Sequence, residues 1–321
     1  DEMAVSYDEA SSPGCIDKKI RLRVGRFLVS MPNVPVESMY DHAKIAANSI
    51  KGNYDKNIAY YNDLMRNELV RKQQIVYEME SALSNGQFEP WFQPQYNHAT
   101  GAMIGAEALV RWNRNGTYIS PAEFVPIFEQ NGFIYKMDCY IWEESCRLLR
   151  SWIDSGLNPP PVSVNISRRD ILHDDFIPTL TGIIKKYSIS PELIRFEVTE
   201  SAFAKGSGHI ISKISSLIDM GYIVEIDDFG SGYSSLNTLK DVPSSVLKLD
   251  MRFLSSTENS RRAGNIIESI VRMAKWLGMA VIAEGVESKE QADYLKSIGC
   301  YYIQGYYYAK PMSDTEYEKL L

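Results

Sequence analysis

From residue 88 to residue 308 the chain alternates between two kinds of segment, and this alternation constrains the fold more than any other feature. Eight strand-like runs stand at 88–95, 103–112, 162–167, 194–200, 222–229, 246–250, 280–287 and 301–308. Several are rich in Val, Ile, Tyr and Phe, as buried strands are. Between them lie amphipathic stretches of helical length at 137–155, 169–187, 207–220, 260–277 and 289–297. Pro121 opens another helix, with Ser120 as its N-cap and proline at its first position. Eight strands alternating with helices predict an α/β fold, a (β/α)8 barrel of the TIM type, rather than a doubly wound sheet. The link at 98–102 is too short for a crossover helix, so the first strand is expected antiparallel to the second.

Residues 1–84 do not share this rhythm. They read as a small α+β segment: a strand at 19–30, a helix at 36–51 and a short strand at 57–61. The stretch 63–83 is charged and helical, with Leu64, Leu69, Ile75, Met79 and Leu83 as its apolar positions. It is a connecting helix or a plain helical cap on the barrel.

No apolar run approaches the roughly 20 residues needed to cross a bilayer. The start, Asp1-Glu2-Met3, lacks the basic and apolar regions of a signal peptide. The expectation is a cytoplasmic protein with no membrane segment, or the cytoplasmic part of a longer, membrane-anchored one. Cys15, Cys139, Cys146 and Cys300 form no CxxC pair and read as free thiols. His42, His98, His173 and His209 are scattered without metal-ligand spacing and read as surface residues. A formal charge of −7 argues against general nucleic-acid binding. It leaves room for a small phosphate ligand, provided that carboxylates first bind cations and reverse the local field.

In such a barrel the last residues of the strands build the active site at the C-terminal mouth. Seven of the eight runs carry polar residues there: Glu107, Asn165, Glu197 with Glu200, Asp227 with Asp228, Lys248 with Asp250, Glu284 with Glu287, and Gln304. Carboxylates converging on a partly buried mouth with one lysine would cost several kcal/mol, or take up protons, unless cations sit among them. Oxygen and amide donors without His or Cys suit hard ions, so one or two Mg²⁺ or Mn²⁺ are expected.

In order, Glu107-Ala108-Leu109, Val164-Asn165-Ile166-Ser167, Glu197-Val198-Thr199-Glu200, the run Asp227-Asp228-Phe229-Gly230 through Leu236, Lys248-Leu249-Asp250, Glu284-Gly285-Val286-Glu287 and Gln304-Gly305-Tyr306 resemble the motifs of EAL-domain cyclic-di-GMP phosphodiesterases. The resemblance covers 85–321. It implies metal-dependent hydrolysis of cyclic-di-GMP to linear pGpG, with Glu107, Asn165, Glu197, Asp227, Asp228 and Glu284 as metal ligands. Lys248, with Glu107, Asp227 and Glu284, would form the catalytic centre. Two roles stand for Lys248: a base that activates the attacking water, or an ion-paired group that positions it. Glu200 would brace the loop 228–235. Arg111 would meet a substrate phosphate, and Gln93 and Leu109 the nucleotide. Asp250, Glu287 and Gln304 would contact the substrate or support the ligands. A homodimer is also implied.

Residues 1–62 resemble, more weakly, the C-terminal part of a GGDEF domain, without its Gly-Gly-Asp-Glu-Phe signature, so the chain is not expected to make cyclic-di-GMP. Two alternatives stand beside the enzyme: a catalytically silent cyclic-di-GMP receptor, and another metal-dependent barrel such as an enolising lyase. Glu225 shares a strand face with Asp227 and reads as a carboxylate near the ligands or as half of an ion pair deeper in the barrel. Gln95 stands where the family often has an apolar residue. The tyrosines at 301–302 and 306–308 read as strand packing, with one at the rim.

Overall fold

The structure, a computed structural model, describes residues 22–29, 34–51, 53, 55–203, 208–230, 242–251 and 260–321. It divides into two units, Asp1–Gln74 and Ile75–Leu321. In the first, β1 (Val24–Arg26) pairs in parallel with β2 (Ile58–Tyr60), and α1 (Val36–Ser49) is the crossover between them. Ala46, Ile50 and Ala59 form its small core. A Cβ on Gly25 would fall 1.8 Å from the carbonyl oxygen of Ala43, so only glycine lets α1 lie this close to β1. Of the strand expected at 19–30, residues 19–21 and 30 lie outside the described residues, and Val24–Arg26 are paired. The helix expected at 63–83 is α2 (Asp63–Ser84), which carries the chain across the division at Gln74.

The second unit is a (β/α)8 barrel. Its strands are β3 (Phe88–Asn97), β4 (Met103–Arg114), β6 (Val162–Asn165), β7 (Ile194–Thr199), β8 (Ile223–Phe229), β9 (Val246–Asp250), β10 (Ala280–Glu284) and β11 (Tyr302–Gln304), with β5 (Thr117–Ile119) added at the edge of β4. From β4 through β11 the barrel strands pair in parallel. Strand β3 closes the ring, antiparallel to both β4 and β11. The antiparallel start follows from the 98–102 link, as expected.

The helices are α3 (Pro121–Asn131), α4 (Ile134–Asp154), α5 (Arg168–Leu172), α6 (Phe176–Lys186), α7 (Gly208–Asp219), α8 (Ser260–Trp276), α9 (Lys289–Ser297) and α10 (Asp314–Tyr317). One continuous core runs between barrel and helices, from Phe92 and Val164 through Leu180, Ile214, Leu247 and Leu295. A second, aromatic cluster of Phe88, Trp112, Phe124, Phe128 and Phe133 seats α3 and the start of α4 against β3 and β4.

Several boundaries differ from expectation, each for a local reason. The helix expected at 169–187 is two, α5 and α6, because Lys213 Nζ takes the carbonyls of Ile171 and His173 at 2.8 Å where a continuous helix would need them. The strand-like run 162–167 stops at Asn165, since Ser167 becomes the N-cap of α5. The run 280–287 stops before Gly285, whose φ of 67° turns the chain. The run 301–308 keeps only Tyr302–Gln304 as strand, because the amides of Tyr308 and Ala309 turn back onto the Gly305 carbonyl. Strand β5 was not anticipated. Its signal was Asn115-Gly116, both at positive φ (51° and 86°), a hairpin turn flanked by residues of β4 and β5.

Candidate active site

The strand ends deliver the expected polar residues to one place. Lys248 is wholly buried, and its Nζ stands 2.6 Å from Glu197 Oε2, 2.7 Å from Glu284 Oε1, 3.1 Å from Glu107 Oε2 and 3.4 Å from Asp227 Oδ1. One ammonium therefore faces carboxylates from four strands. Burial disfavours its charged form, but the charges of Asp227, Glu107, Glu197 and Glu284 outweigh burial and hold its pKa well above the ordinary lysine value.

The carboxylates respond unequally. Burial penalises the charge on Glu107, yet Lys248 and hydrogen bonds from Gln304 and Asn165 overcome it and keep Glu107 below the usual range. Gln304 Nε2 donates to Glu107 Oε2 at 2.6 Å, and Asn165 Nδ2 to Glu107 Oε1 at 3.1 Å. Gln304 Oε1 in turn accepts from Gln95 Nε2 at 2.9 Å, so Gln95 joins the polar floor of the mouth. Glu197 is pushed well up by burial and then by the neighbouring charge of Glu107. Glu284 is pushed well up by burial, which Lys248 opposes and Asp227 and Glu107 reinforce. One lysine does not neutralise the group, and protons or cations must supply the rest.

Asp227 and Asp228 are consecutive, and in a regular strand they would point to opposite faces. The β8–β9 register shifts between Ile226 and Phe229, and Asp228 adopts φ 54°. This irregularity re-aims the chain, so that both aspartates line the same cavity. Carboxylate oxygens of Asp227, Asp228 and Glu284 lie within 4.8 Å of one another. Glu197 Oε1 is buried and accepts no hydrogen bond, and Asp227 Oδ1, also buried, has the Lys248 ammonium at 3.4 Å but no hydrogen bond. An all-oxygen donor set whose buried oxygens are incompletely served fits a hard divalent cation. This acidic cluster can hold a metal.

The cavity, of about 370 Å³, is lined by Gln93, Glu107, Leu109, Arg111, Asp227, Asp228, Glu284, Glu287 and Gln304, all expected from sequence. Gly285, Gly305, Tyr306 and Pro311 line it as well. Arg111 Nη1 donates to the Val110 carbonyl at 2.9 Å, and its guanidinium lies 5.6 Å from the Trp91 ring centroid. Of the three consecutive tyrosines Tyr306, Tyr307 and Tyr308 only Tyr306 is exposed, with Lys310 Nζ 5.3 Å from its ring, whereas Tyr308 stacks on Tyr96. The signal for Tyr306 was its place directly after Gln304-Gly305.

Lys248, Glu197 and Asn165 are not among the lining residues and meet the cavity through Glu107, Asp227 and Glu284. Asp250 is buried at the end of β9, in register with Glu284, and does not line the cavity. Glu200 Oε2 accepts the Gly230 amide at 3.3 Å, at the start of the loop 228–235, of which residues 231–235 lie outside the described residues. Glu225 pairs with Arg195 at 3.3 Å and accepts from Ser163 Oγ at 3.1 Å, which is the ion pair deeper in the barrel. Cys139, Cys146 and Cys300 are free thiols, and Cys15 lies outside the described residues. Among the described residues no helix is long and apolar enough to cross a membrane.

Comparison with known proteins gives one family. The family model described as EAL domain matches residues 77–311. Signaling protein YkoW of Bacillus subtilis is 34% identical over 263 residues, covering 82% of this chain and 33% of that protein. Cyclic di-GMP phosphodiesterase RocR of Pseudomonas aeruginosa is 30% identical over 256 residues, covering 79% of this chain and 65% of that protein. Among solved structures, the PaMucR phosphodiesterase in complex with c-di-GMP superimposes with a TM-score of 0.71 at 32% identity, over 77% of this chain and all of that one. The chain spans about a third of the length of the first curated relatives it matches.

Proposed function

This chain belongs to the EAL domain family, and from that premise we propose that it hydrolyses cyclic-di-GMP to linear pGpG with Mg²⁺ or Mn²⁺, one or two ions per site. The observation that carries the reading is a single cavity that joins the Asp227–Asp228–Glu284 cluster to the guanidinium of Arg111. A phosphodiester needs both: donors for its non-bridging oxygens, and a place where water is activated.

Glu107, Asn165, Glu197, Asp227, Asp228 and Glu284 would hold the metal. Divalent cations in such a mouth lower the pKa of water and offset charge that develops on phosphate. Arg111 offers a planar fork to a phosphate oxygen. Gln93, Leu109, Glu287 and Gln304 would contact the nucleotide, and Asp250, expected in the same substrate-binding set, would support it through its neighbour in register, Glu284. Gln304 and Asn165 hold Glu107 ionised and in one orientation. The four carboxylates around Lys248 favour its protonated form in the metal-free mouth, which supports the role of positioning water and opposing negative charge over that of proton acceptor. Glu200 would brace the loop beyond Gly230.

The same reading assigns residues 1–62 to the end of a GGDEF-like domain, 63–84 to a connecting helix and 85–321 to the phosphodiesterase barrel. It makes the protein cytoplasmic, in itself or as part of a membrane-anchored chain, and a homodimer. The test is chromatographic detection of pGpG from cyclic-di-GMP with Mg²⁺, with Mn²⁺ and with a chelator. Turnover with metal and none without it is expected. Binding of the dinucleotide without turnover in either metal would make the protein a receptor and overturn the enzymatic reading.

A further inference from the structure

Three glutamines and Glu107 meet where β11, β3 and β4 adjoin. Gln93 and Gln95 are two apart on β3 and share one of its faces. In register, Gln304 of β11 stands opposite Gln95, and Glu107 of β4 stands opposite Gln93. All three glutamines are buried, and Gln95 has no exposure at all.

A primary amide has a donor end and an acceptor end, and the partners here admit one arrangement of all three. Glu107 Oε2 accepts from the Lys248 ammonium at 3.1 Å, so the end of Gln304 that reaches it at 2.6 Å is the donor, Nε2. The same nitrogen donates to Gln93 Oε1 at 3.2 Å, and Gln93 Nε2 donates in turn to the Ala309 carbonyl at 3.1 Å. Gln304 therefore turns Oε1 to Gln95, whose Nε2 donates to it at 2.9 Å. Gln95 Oε1 ends the chain, buried and without a donor. The residue opposite makes room for it, since a Cβ on Gly105 would stand 2.7 Å from that oxygen.

Stability does not explain Gln95. A buried acceptor without a donor is costly, and an apolar side chain of the same length would only exchange that orphan for Gln304 Oε1. What Gln95 supplies is a second anchor for the Gln304 amide. With both ends held, Nε2 stays on Glu107 and Gln93. With Oε1 unserved, the amide is free to turn about its last torsion, which is broad and roughly two-fold, and oxygen can then face the carboxylate.

We propose that Gln95 is a positioning residue for the reaction, acting through Gln304 to hold Glu107 in one orientation. The proposal rests on the phosphodiesterase reading. Gln95 does not line the cavity, and its amide reaches Glu107 by way of Gln304.

Gln95→Met keeps the length of the side chain and loses the donor. Its melting temperature should match the wild type. Turnover of cyclic-di-GMP, and the Mn²⁺ affinity of the nucleotide-free protein measured by calorimetry, should each fall about tenfold to a hundredfold. KM should hold, because Leu109 and Arg111 of the cavity wall are untouched. In a Gln304→Ala background, adding Gln95→Met should lower neither quantity further, since the route is already cut. Wild-type turnover and Mn²⁺ affinity in Gln95→Met overturn the proposal. So does a fall in its melting temperature accompanied by a raised KM, which would mark a structural role, and so do multiplied losses in the double variant. Wild-type protein that binds Mn²⁺ and forms no pGpG ends the phosphodiesterase reading instead, and the Mn²⁺ titrations of the same variants then judge Gln95 by themselves.

Discussion

Lys248 Nζ lies 2.6 Å from Glu197 Oε2, and neither side chain has any exposure to solvent. The lysine approaches three further carboxylates, so it neutralises part of a charge that the barrel has already desolvated. Lys248→Ala leaves those carboxylates without their common partner. Removing one member of a buried ion pair costs about 3–5 kcal/mol, and loss of stability of that order is expected in metal-free protein. Added Mg²⁺ or Mn²⁺ should return part of it. Turnover should fall by orders of magnitude, while dinucleotide affinity, set at the cavity wall, is largely kept. Thermal denaturation with and without metal, beside calorimetric titration of cyclic-di-GMP, checks each part.

Glu107→Ala is expected to abolish turnover and weaken metal binding while the barrel stays folded. Glu107 sits at a strand end, and its three donors, Lys248, Gln304 and Asn165, adjoin other acceptors or the cavity. The apolar core begins below it, with Val162, Val164 and Phe196. A circular dichroism spectrum unchanged from wild type, together with loss of pGpG formation, is the expected result. Near-full activity in this variant refutes the metal assignment.

The mouth should also make stability depend on pH and metal together. Glu197 and Glu284 have pKa values raised in the folded state. The stabilisation of such groups is complete below the unfolded glutamate value of about 4.3 and is lost as pH climbs towards the folded values. Glu107 has a lowered pKa, so its contribution is present above the unfolded value and is lost as pH falls through the folded one. Lys248 contributes below the unfolded lysine value and loses that contribution only in strong alkali. From about pH 5 to pH 8 the raised glutamates dominate, and metal-free protein should become less stable as pH rises. Saturating Mg²⁺ or Mn²⁺ replaces those protons with cations and should flatten the slope. Melting temperatures across that range, with chelator and with metal, decide it.

How much of this was legible beforehand depended on whether the cause was local. Strand composition and the short 98–102 link are local, and they led directly to the barrel and its antiparallel first strand. Strand-end positions follow once the strands are placed, which is why Glu107, Asp227, Glu284 and Gln304 were found. Geometry that depends on neighbouring strands was not readable. The register shift that brings Asp227 and Asp228 to one cavity arises between β8 and β9. The burial of Glu225 with Arg195 needs the register of β7 against β8. The split of α5 from α6 is made by a lysine 40 residues on. Asn115-Gly116 is a different case, since its hairpin signal is local to the sequence.

Gly305 gives the sharpest steric test of the mouth. Its φ is not positive, so conformational freedom does not explain the glycine. Space does: a Cβ there would stand 2.1 Å from the Val286 carbonyl oxygen and 2.4 Å from its nitrogen. Those atoms are backbone, fixed by the Tyr307 amide donating to Val286 O at 3.0 Å and by the Val286 amide donating to Gln304 O at 3.3 Å. Gly305→Ala must push the segments after β10 and β11 apart, at a cost on the order of 3 kcal/mol. The displacement would fall on Gly285, Glu287, Gln304 and Tyr306, which share the cavity wall. Lowered thermal stability and weakened cyclic-di-GMP affinity should therefore appear together in this variant. Gly101→Ala supplies the control: its φ of 74° carries backbone strain, but no atom lies within 4 Å of the added methyl. That variant should lose about 1–2 kcal/mol of stability and bind cyclic-di-GMP as the wild type does. Equal losses of affinity in the two variants would separate the effect at Gly305 from contact with Val286.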